Sequence, residues 1–147
     1  RAGEHCNGLF YIKEGLARVF YLKDGKEITD WFAGSGTFLT AMDSFHSEKV
    51  SDQYIEALSD LAFVYIERKA IKEAYESQPG LKDEYLSIVS QHLIRLQERV
   101  KALQFYTAKE RYQLLAEKNP QALKLAPRTH IASYLGISLE TLSRIRL

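Results

Sequence analysis

The chain has 147 residues, of which 46% are hydrophobic and 27% are charged, and its formal net charge is +1 at pH 7. This balance is typical of a globular protein and excludes a disordered chain, while the longest apolar runs are too short to span a membrane. The single cysteine excludes an internal disulfide framework and favours a reducing compartment, so we expect the cytoplasm.

The charges are divided unevenly along the chain. Residues 1–80 hold nine Lys and Arg against thirteen Asp and Glu, a difference of −4, whereas residues 81–147 hold eleven against six, a difference of +5. An acidic first part and a basic second part indicate that only the second part meets a polyanion. Chance scatter of surface charge is the alternative interpretation.

Short β-strands separated by turns are predicted between residues 8 and 66. These segments are rich in β-branched and aromatic residues, and the pair Asp24-Gly25 predicts a hairpin, because its turn needs a positive φ. The predicted strands are residues 9–12, 16–22, 28–32, 54–58 and 61–66. Their spacing favours a sandwich or barrel over a parallel sheet. The segment 38–53 between them is predicted to be irregular.

Helical periodicity replaces the β pattern after residue 68. Residues 69–77 are predicted to form a short helix, and no Gly or Pro interrupts the long helix predicted over residues 81–104. Apolar residues in the long helix step by 3, 4, 3, 4 and 3, which is a heptad seam. The seam consists of Leu86, Val89, Leu93, Leu96, Val100 and Leu103. We expect it to pair with a second copy of the chain; the alternative is a single helix buried against its own β domain.

Three features mark the segments between the long helix and the C-terminus. Residues 105–107 interrupt the helical pattern and are a candidate hinge. Thr107 and Glu110 then have the spacing of a capping box, which opens a helix ending near Glu117. Residues 121–125 are predicted to be a short link, and Pro127 is expected at the first position of the next helix.

The stretch 127–147 has the spacing of two short helices joined by a tight turn. Gly136 can adopt the positive φ that the turn needs, and Ser138 is placed to cap the second helix. Apolar residues on the inner side of both helices are expected to hold the pair to a core. This is a helix-turn-helix, whose second helix can enter a DNA major groove.

A β domain, a long seamed helix and a helix-turn-helix, in this order, resemble the Crp–Fnr (catabolite activator-like) family of bacterial transcription regulators. The most specific motif is IASYLGISLETLSRIR, residues 131–146, in which ETxSR matches the family's recognition helix. The resemblance implies an α+β fold with three parts. These are a cyclic-nucleotide-binding-like β-roll over residues 1–80, expected to be N-terminally incomplete, a dimerisation helix over 81–104, and a winged-helix DNA-binding domain over 105–147. The wing would follow the recognition helix, where the chain ends.

The resemblance assigns base reading to Glu140 and Arg144. Their chemistry agrees, because a carboxylate can accept from cytosine N4 and a guanidinium can bridge guanine O6 and N7. Since they are four residues apart on one helical face, an exposed ion pair is the alternative interpretation. Leu139 stands where some relatives carry another arginine. Further candidate DNA contacts are Arg128, Thr129, Ser138, Thr141, Ser143 and Arg146.

The loop 38–58 corresponds to the family's phosphate-binding cassette but departs from its pattern. Thr40 stands where a glutamate would contact the ribose, and Val50 replaces the arginine that precedes a small hydroxyl residue, here Ser51. Because Lys49 is the only basic residue in the loop, a buried cyclic phosphate would lack a paired cation. We therefore expect no tight binding of cyclic AMP and no cofactor. The candidate pocket residues are Phe38, Leu39, Thr40, Ser51 and Asp52.

The expected function is sequence-specific regulation of transcription by a dimer bound to double-stranded DNA. Two recognition helices about 34–36 Å apart would read a near-palindromic operator. RNA polymerase and an unknown small effector are further implied partners, and no membrane is expected; the effector pocket is alternatively plain core filled by Phe38, Met42 and Phe45. No enzyme is expected, because the histidines lack metal-ligand spacing and the adjacent His5 and Cys6 are a weak ligand signal. The alternative function is a small-molecule sensor or protein-interaction module that does not bind DNA.

Overall fold

The computed structural model describes residues 2–78 and 80–145, and this part of the chain forms six strands and seven helices. The strands are β1 Gly8–Glu14, β2 Ala17–Lys23, β3 Lys26–Ala33, β4 Phe38–Leu39, β5 Gln53–Ala57 and β6 Ala62–Glu67. The helices are α1 Met42–Ser47, α2 Arg68–Ser77, α3 Leu81–Phe105, α4 Ala108–Lys118, α5 Pro120–Leu125, α6 Arg128–Leu135 and α7 Leu139–Arg144.

The strands form two antiparallel three-stranded sheets, ordered β4-β1-β6 and β3-β2-β5. Apolar side chains from both sheets share one core, in which Ile12 and Leu39 meet Val19 and are fully or almost fully buried. Asp24 and Gly25 both have positive φ, 51° and 74°, as the tight turn between β2 and β3 requires. The predicted strands and the α+β architecture with a β-roll are confirmed.

Two sequence predictions about local structure were wrong. The segment 38–53, predicted to be irregular, contains β4 and α1. Helix α1 is held by long-range contacts: the Ser44 hydroxyl is buried, accepts a hydrogen bond from Cys6 N at 2.9 Å and donates one to Lys49 O at 2.6 Å. Periodicity cannot reveal a six-residue helix of this kind.

The predicted link 121–125 is helix α5, which begins at Pro120. Asn119 caps this helix, since its side-chain oxygen accepts a hydrogen bond from Ala122 N at 3.1 Å, and Pro120 occupies the first turn. The Asn119-Pro120 pair therefore ends α4 and also starts the next helix. Pro127 lies at the N-cap of α6 rather than at its first helical position.

A second core joins the C-terminal helices to the β-roll. Leu16 and Phe32 of the β-roll are buried together with Leu115 of α4 and apolar residues of α5, α6 and α7. Hydrogen bonds reinforce this contact: Ser133 Oγ of α6 accepts from Thr29 N at 2.9 Å and donates to Glu27 O at 3.0 Å. The helix-turn-helix therefore lies directly against the edge strand β3.

Helix α3 is largely exposed. Of its 25 residues only Ala102 is buried. Five of the six seam residues are exposed by 39–60%, and Val89 is half-buried. The β-roll of the same chain therefore does not cover the seam. No helix in residues 2–78 and 80–145 combines the length and apolar character that a membrane crossing requires.

Candidate DNA-binding surface and effector cavity

Local sequence signals set the geometry of the helix-turn-helix. Gly136 ends α6 in the left-handed conformation with φ of 65°, which other residues adopt only at a cost. Ser138 begins α7, and its hydroxyl oxygen accepts a hydrogen bond from Thr141 N at 3.1 Å. These two residues fix the turn between α6 and α7, and with it the direction in which α7 presents its side chains.

Helix α7 has a buried inner face and an exposed outer face. Leu142 is buried in the second core, and Ile145 packs against it. The side chains of Glu140 and Arg144 are 73% and 75% exposed and form an ion pair with each other. The structure therefore contains the ion pair of the alternative interpretation. Because both side chains are exposed, the same pair is also accessible to the edges of DNA bases.

The other candidate DNA contacts surround this pair. Arg128, Thr129 and Ser143 are exposed, and Arg128 Nη2 donates to Ser143 Oγ at 3.3 Å, which links the start of α6 to α7. The hydroxyls of Ser138 and Thr141 lie 3.0 Å apart and contact each other. Arg146 lies outside the described residues. The structure thus brings seven predicted residues onto one surface; their DNA contacts stay predictions.

A cavity of about 450 Å³ lies between the two sheets, and we call it the β-roll cavity. Of the five predicted pocket residues, Leu39 and Ser51 line it. Phe38 instead packs on the ring of Tyr11, with ring centroids 5.0 Å apart, and Thr40 donates from its buried hydroxyl to Gly8 O at 2.9 Å. Asp52 is exposed to solvent. The predicted set was therefore only partly placed in the cavity.

The sequence reading missed most of the residues that line the β-roll cavity. Phe63 and Tyr65 contribute aromatic rings from alternate positions of β6, and Gln53 contributes an amide whose Oε1 is buried without a partner among the described residues. No Lys or Arg is among the described residues that line the cavity. The spacing of Phe63 and Tyr65 in the sequence could have indicated that they lie together, since residues two apart in a strand point to the same face of the sheet. Within the described ranges, no group of His, Cys, Asp and Glu could hold a metal ion.

A buried charged cluster joins the β-roll to α6. Arg18 of β2 is 1% exposed, contacts Glu27, donates from Nε to Glu56 Oε2 at 2.6 Å and from Nη1 to Thr29 Oγ1 at 3.3 Å. We call Arg18, Glu27, Thr29 and Glu56 the Arg18 cluster. His130 of α6 approaches it, with Nε2 3.6 Å from Glu27 Oε2.

The surroundings of His130 lower its pKa. Burial is the main cause that lowers the pKa of His130, and the Arg18 guanidinium lowers it further. Glu56 and Glu27 act in the opposite direction but do not outweigh these two effects. No local sequence pattern indicates this contact between His130 and the β-roll.

Comparison with known proteins identifies the first half of the chain. Residues 1–78 match the cyclic nucleotide-binding domain family. No curated protein sequence matches the chain. The match covers more than half of the 147 residues, so it shows the family.

Several solved structures resemble the chain over nearly its whole length. FixK2 from Bradyrhizobium japonicum has a TM-score of 0.77 at 22% identity, over 95% of this chain and 72% of that one. A regulator assigned to the Crp/Fnr family from Eubacterium rectale has a TM-score of 0.72 at 19% identity, over 96% and 68%.

The c-di-GMP-responsive global regulator CLP of Xanthomonas campestris has a TM-score of 0.71 at 18% identity, over 97% of this chain and 78% of that one. At these identities the likeness shows the fold, and this fold is the one that the sequence motif implies. The chain therefore belongs to the cyclic nucleotide-binding domain family and has the architecture of the Crp–Fnr regulators.

Proposed function

We propose that this chain is part of a cytoplasmic, dimeric transcription regulator that binds DNA in a sequence-specific manner. The observation that carries the proposal is the outer face of α7. Glu140 and Arg144 are exposed there on a helix that Leu142 and Ile145 anchor from behind. A recognition helix needs this combination of a fixed orientation and free polar ends.

Readout of bases by this pair follows from its chemistry. In the free protein the Arg144 guanidinium donates a hydrogen bond to the Glu140 carboxylate. On DNA the guanidinium would turn to the O6 and N7 acceptors of a guanine, and the carboxylate would accept from a cytosine N4. Arg128, Thr129 and Ser143 would hold nearby phosphates and fix the register of the helix. We further propose that a wing completes this domain in the winged-helix manner.

Dimerisation through α3 is the second part of the proposal. A row of exposed leucines and valines along a helix is costly in water, and pairing with the same row of a second copy removes it from solvent. The dimer would carry two α7 helices for a near-palindromic operator. RNA polymerase is the partner through which such a complex would act.

The β-roll cavity is proposed to hold an effector other than a cyclic nucleotide, or none. None of the described residues that line the cavity is a Lys or Arg, so this part of the chain offers a buried cyclic phosphate no paired lysine or arginine. Because α6 packs on β3, a change in the β-roll has a direct route to α6. This contact between domains carries the proposed switching.

One observation favours the alternative of a module that does not bind DNA. The packing of α6 against β3 gives the helix-turn-helix a structural role within the chain. That packing uses α6 and leaves the outer face of α7 exposed, so it does not obstruct DNA. The DNA-binding proposal accounts for both faces of the motif.

Selection of bound DNA from a random duplex pool tests the proposal. We expect enrichment of a near-palindrome whose half-sites are one helical turn apart. Affinity for the selected duplex should fall steeply with salt, because each neutralised phosphate releases counterions. A pool that stays random after repeated rounds, with no salt-dependent binding, would favour the non-DNA-binding module.

A further inference from the structure

A second cavity, of about 360 Å³, lies where β3, α3, α4 and α6 meet. We call it the joint cavity. It shares no lining residue with the β-roll cavity, and it is distinct from the outer face of α7. Its position between the β-roll, the long helix and the helix-turn-helix means that a small molecule bound here would touch all three.

The joint cavity has an apolar and aromatic floor. Trp31 of β3 lines it together with Leu115 and Leu135, which are buried in the second core. The Arg95 guanidinium lies 4.8 Å from the centroid of the Trp31 ring, and the His92 ring meets the indole edge-on at 6.0 Å. A flat ring has a matching surface here, since aromatic rings pack well edge-to-face or offset.

The same cavity holds more positive than negative charge. Arg95, Arg99, Arg111 and Lys118 all line it, and only two of these cations are paired with a carboxylate. Arg99 Nε lies 3.9 Å from Asp30 Oδ1, and Lys118 Nζ lies 3.3 Å from Glu98 Oε1. Neither Arg95 nor Arg111 forms an ion pair with any residue that the structure describes. Two cations therefore face the cavity without a counter-charge.

Arg111 also carries an unused donor. Its Nη1 donates to Tyr106 O at 2.7 Å, but its Nε is buried and finds no acceptor in the described part of the chain. A buried charged donor without an acceptor is unfavourable, because its lost hydration is not replaced. A carboxylate is the group that pairs best with a guanidinium, often through two parallel hydrogen bonds.

We propose that the joint cavity binds a small aromatic carboxylate. The ring would lie against the apolar floor, and the carboxylate would pair with the Arg111 guanidinium, whose Nε finds no acceptor in the described part of the chain. The volume suits a ligand of one or two rings, at the small end of ligand pockets. Partial burial is the main cause that lowers the pKa of Arg95, so a negative ligand in the cavity would stabilise the charged form of this side chain.

A ligand in the joint cavity would act on the arrangement of the domains. It would contact β3 on one side and α4 and α6 on the other, across the break between α3 and α4 at Tyr106. If the ligand binds one domain arrangement more tightly than another, it shifts the equilibrium between them by the difference in binding free energy. The binding step itself is independent of DNA recognition, so its test separates from that of the proposed function.

Trp31 is the only tryptophan in the sequence, so its indole N–H gives a single resonance that reports on the joint cavity. The full chain, without DNA and in its own oligomeric state, would be titrated with 4-fluorobenzoate and, separately, with the uncharged 4-fluorobenzamide. We expect the indole resonance to shift and saturate with the benzoate, and the benzamide to bind at least tenfold more weakly. An absent or unsaturable shift, or equal binding of the two probes, would overturn the inference.

Variants of the lining cations sharpen the same titration. Arg111→Gln should weaken 4-fluorobenzoate at least tenfold, whereas Lys101→Gln, at an exposed cation of α3 outside the cavity, should leave the affinity unchanged. If Arg111→Gln fails to fold, as judged by its circular dichroism, Arg111→Lys serves in its place; it keeps the charge but loses the paired donors of the guanidinium, so it should also weaken 4-fluorobenzoate, by a smaller factor. Equal weakening by Lys101→Gln would show a general charge effect and would refute the site.

Discussion

Two arginine–glutamate pairings in this molecule use the same chemistry in opposite surroundings. The Arg18 side chain is 1% exposed and contacts Glu27 and Glu56, whereas the side chains of Arg144 and Glu140 are 75% and 73% exposed. Exposed ion pairs contribute only about 0.2–1 kcal/mol to stability, but breaking a buried pair leaves an uncompensated charge. The first pairing therefore holds β2, β3 and β5 of the β-roll together, and the second leaves its charges available to a partner.

The Arg18 cluster should account for the largest change in stability. Arg18→Ala removes the cation that two carboxylates share, along with the stacking of its guanidinium on Phe20 at 4.1 Å. We expect a loss of roughly 3 kcal/mol in the free energy of unfolding, at the low end for buried pairs because the carboxylates are partly exposed. Urea denaturation measures this value.

The matched control for this change is Arg144→Ala, at the exposed pair. It should alter the free energy of unfolding by less than about 0.5 kcal/mol. Equal losses in the two variants would mean that burial does not distinguish the pairings. A loss below about 1 kcal/mol in Arg18→Ala would mean that the Arg18 cluster contributes little to the stability of the fold.

The seam of α3 extends the contrast from charged to apolar residues. Leu93→Glu places a carboxylate in the proposed dimer contact, where it would have no partner, so we expect association to weaken by roughly 3 kcal/mol. Because Leu93 is exposed in the single chain, the fold of each copy should survive. Sedimentation velocity would show monomers. Gln97→Glu, at an exposed position of α3 off the seam, should stay dimeric, and a dimeric Leu93→Glu would contradict the seam.

Arg144→Ala is expected to weaken DNA binding, although it should hardly change the free energy of unfolding. Loss of the guanidinium should reduce affinity for the selected operator by roughly 1–3 kcal/mol and relax the base preference at one position of each half-site. Repeating the DNA selection with this variant measures both effects. Lys124→Ala, at an exposed cation of α5, should keep the preference intact. An unchanged preference in Arg144→Ala would exclude it from base reading.

The sequence predicted best where short-range rules decide the structure. The hairpin at Asp24-Gly25, the capping box of Thr107 and Glu110, and the turn at Gly136 each depend on a few neighbouring residues, and all three are present. Glu140 and Arg144 could be assigned to one exposed face for the same reason, because four residues make about one helical turn.

The parts that the sequence did not predict depend on residues far apart in the chain. The Arg18 cluster joins side chains of β2, β3 and β5, and its partner His130 comes from α6. The joint cavity needs four elements to be packed before its walls exist. A single sequence specifies strands and helices by their periodicity, but it does not state which faces meet, so neither feature could be derived from it.

Protonation of His130, which lies where α6 meets the β-roll, is expected to give the smallest change in the free energy of unfolding. Burial and, secondarily, Arg18 hold its pKa below the ordinary value of about 6.5, against the pull of Glu56 and Glu27. As the pH falls below about 6.5, the unfolded chain therefore takes up this proton before the folded one does. Stability is complete above that pH and declines as the pH falls toward the folded pKa.

Unfolding free energies at pH 7.5 and pH 5.5 test this sign. The unsubstituted chain should be less stable at the lower pH, and His130→Gln should reduce that difference. Part of the difference should persist, because burial and Arg95 lower the pKa of His92 in the same direction. His5→Gln, at an exposed histidine, should leave the difference in place. If His130→Gln kept the full difference between the two unfolding free energies, His130 would not be a source of the pH dependence. The contact between α6 and the β-roll would then be independent of pH in this range.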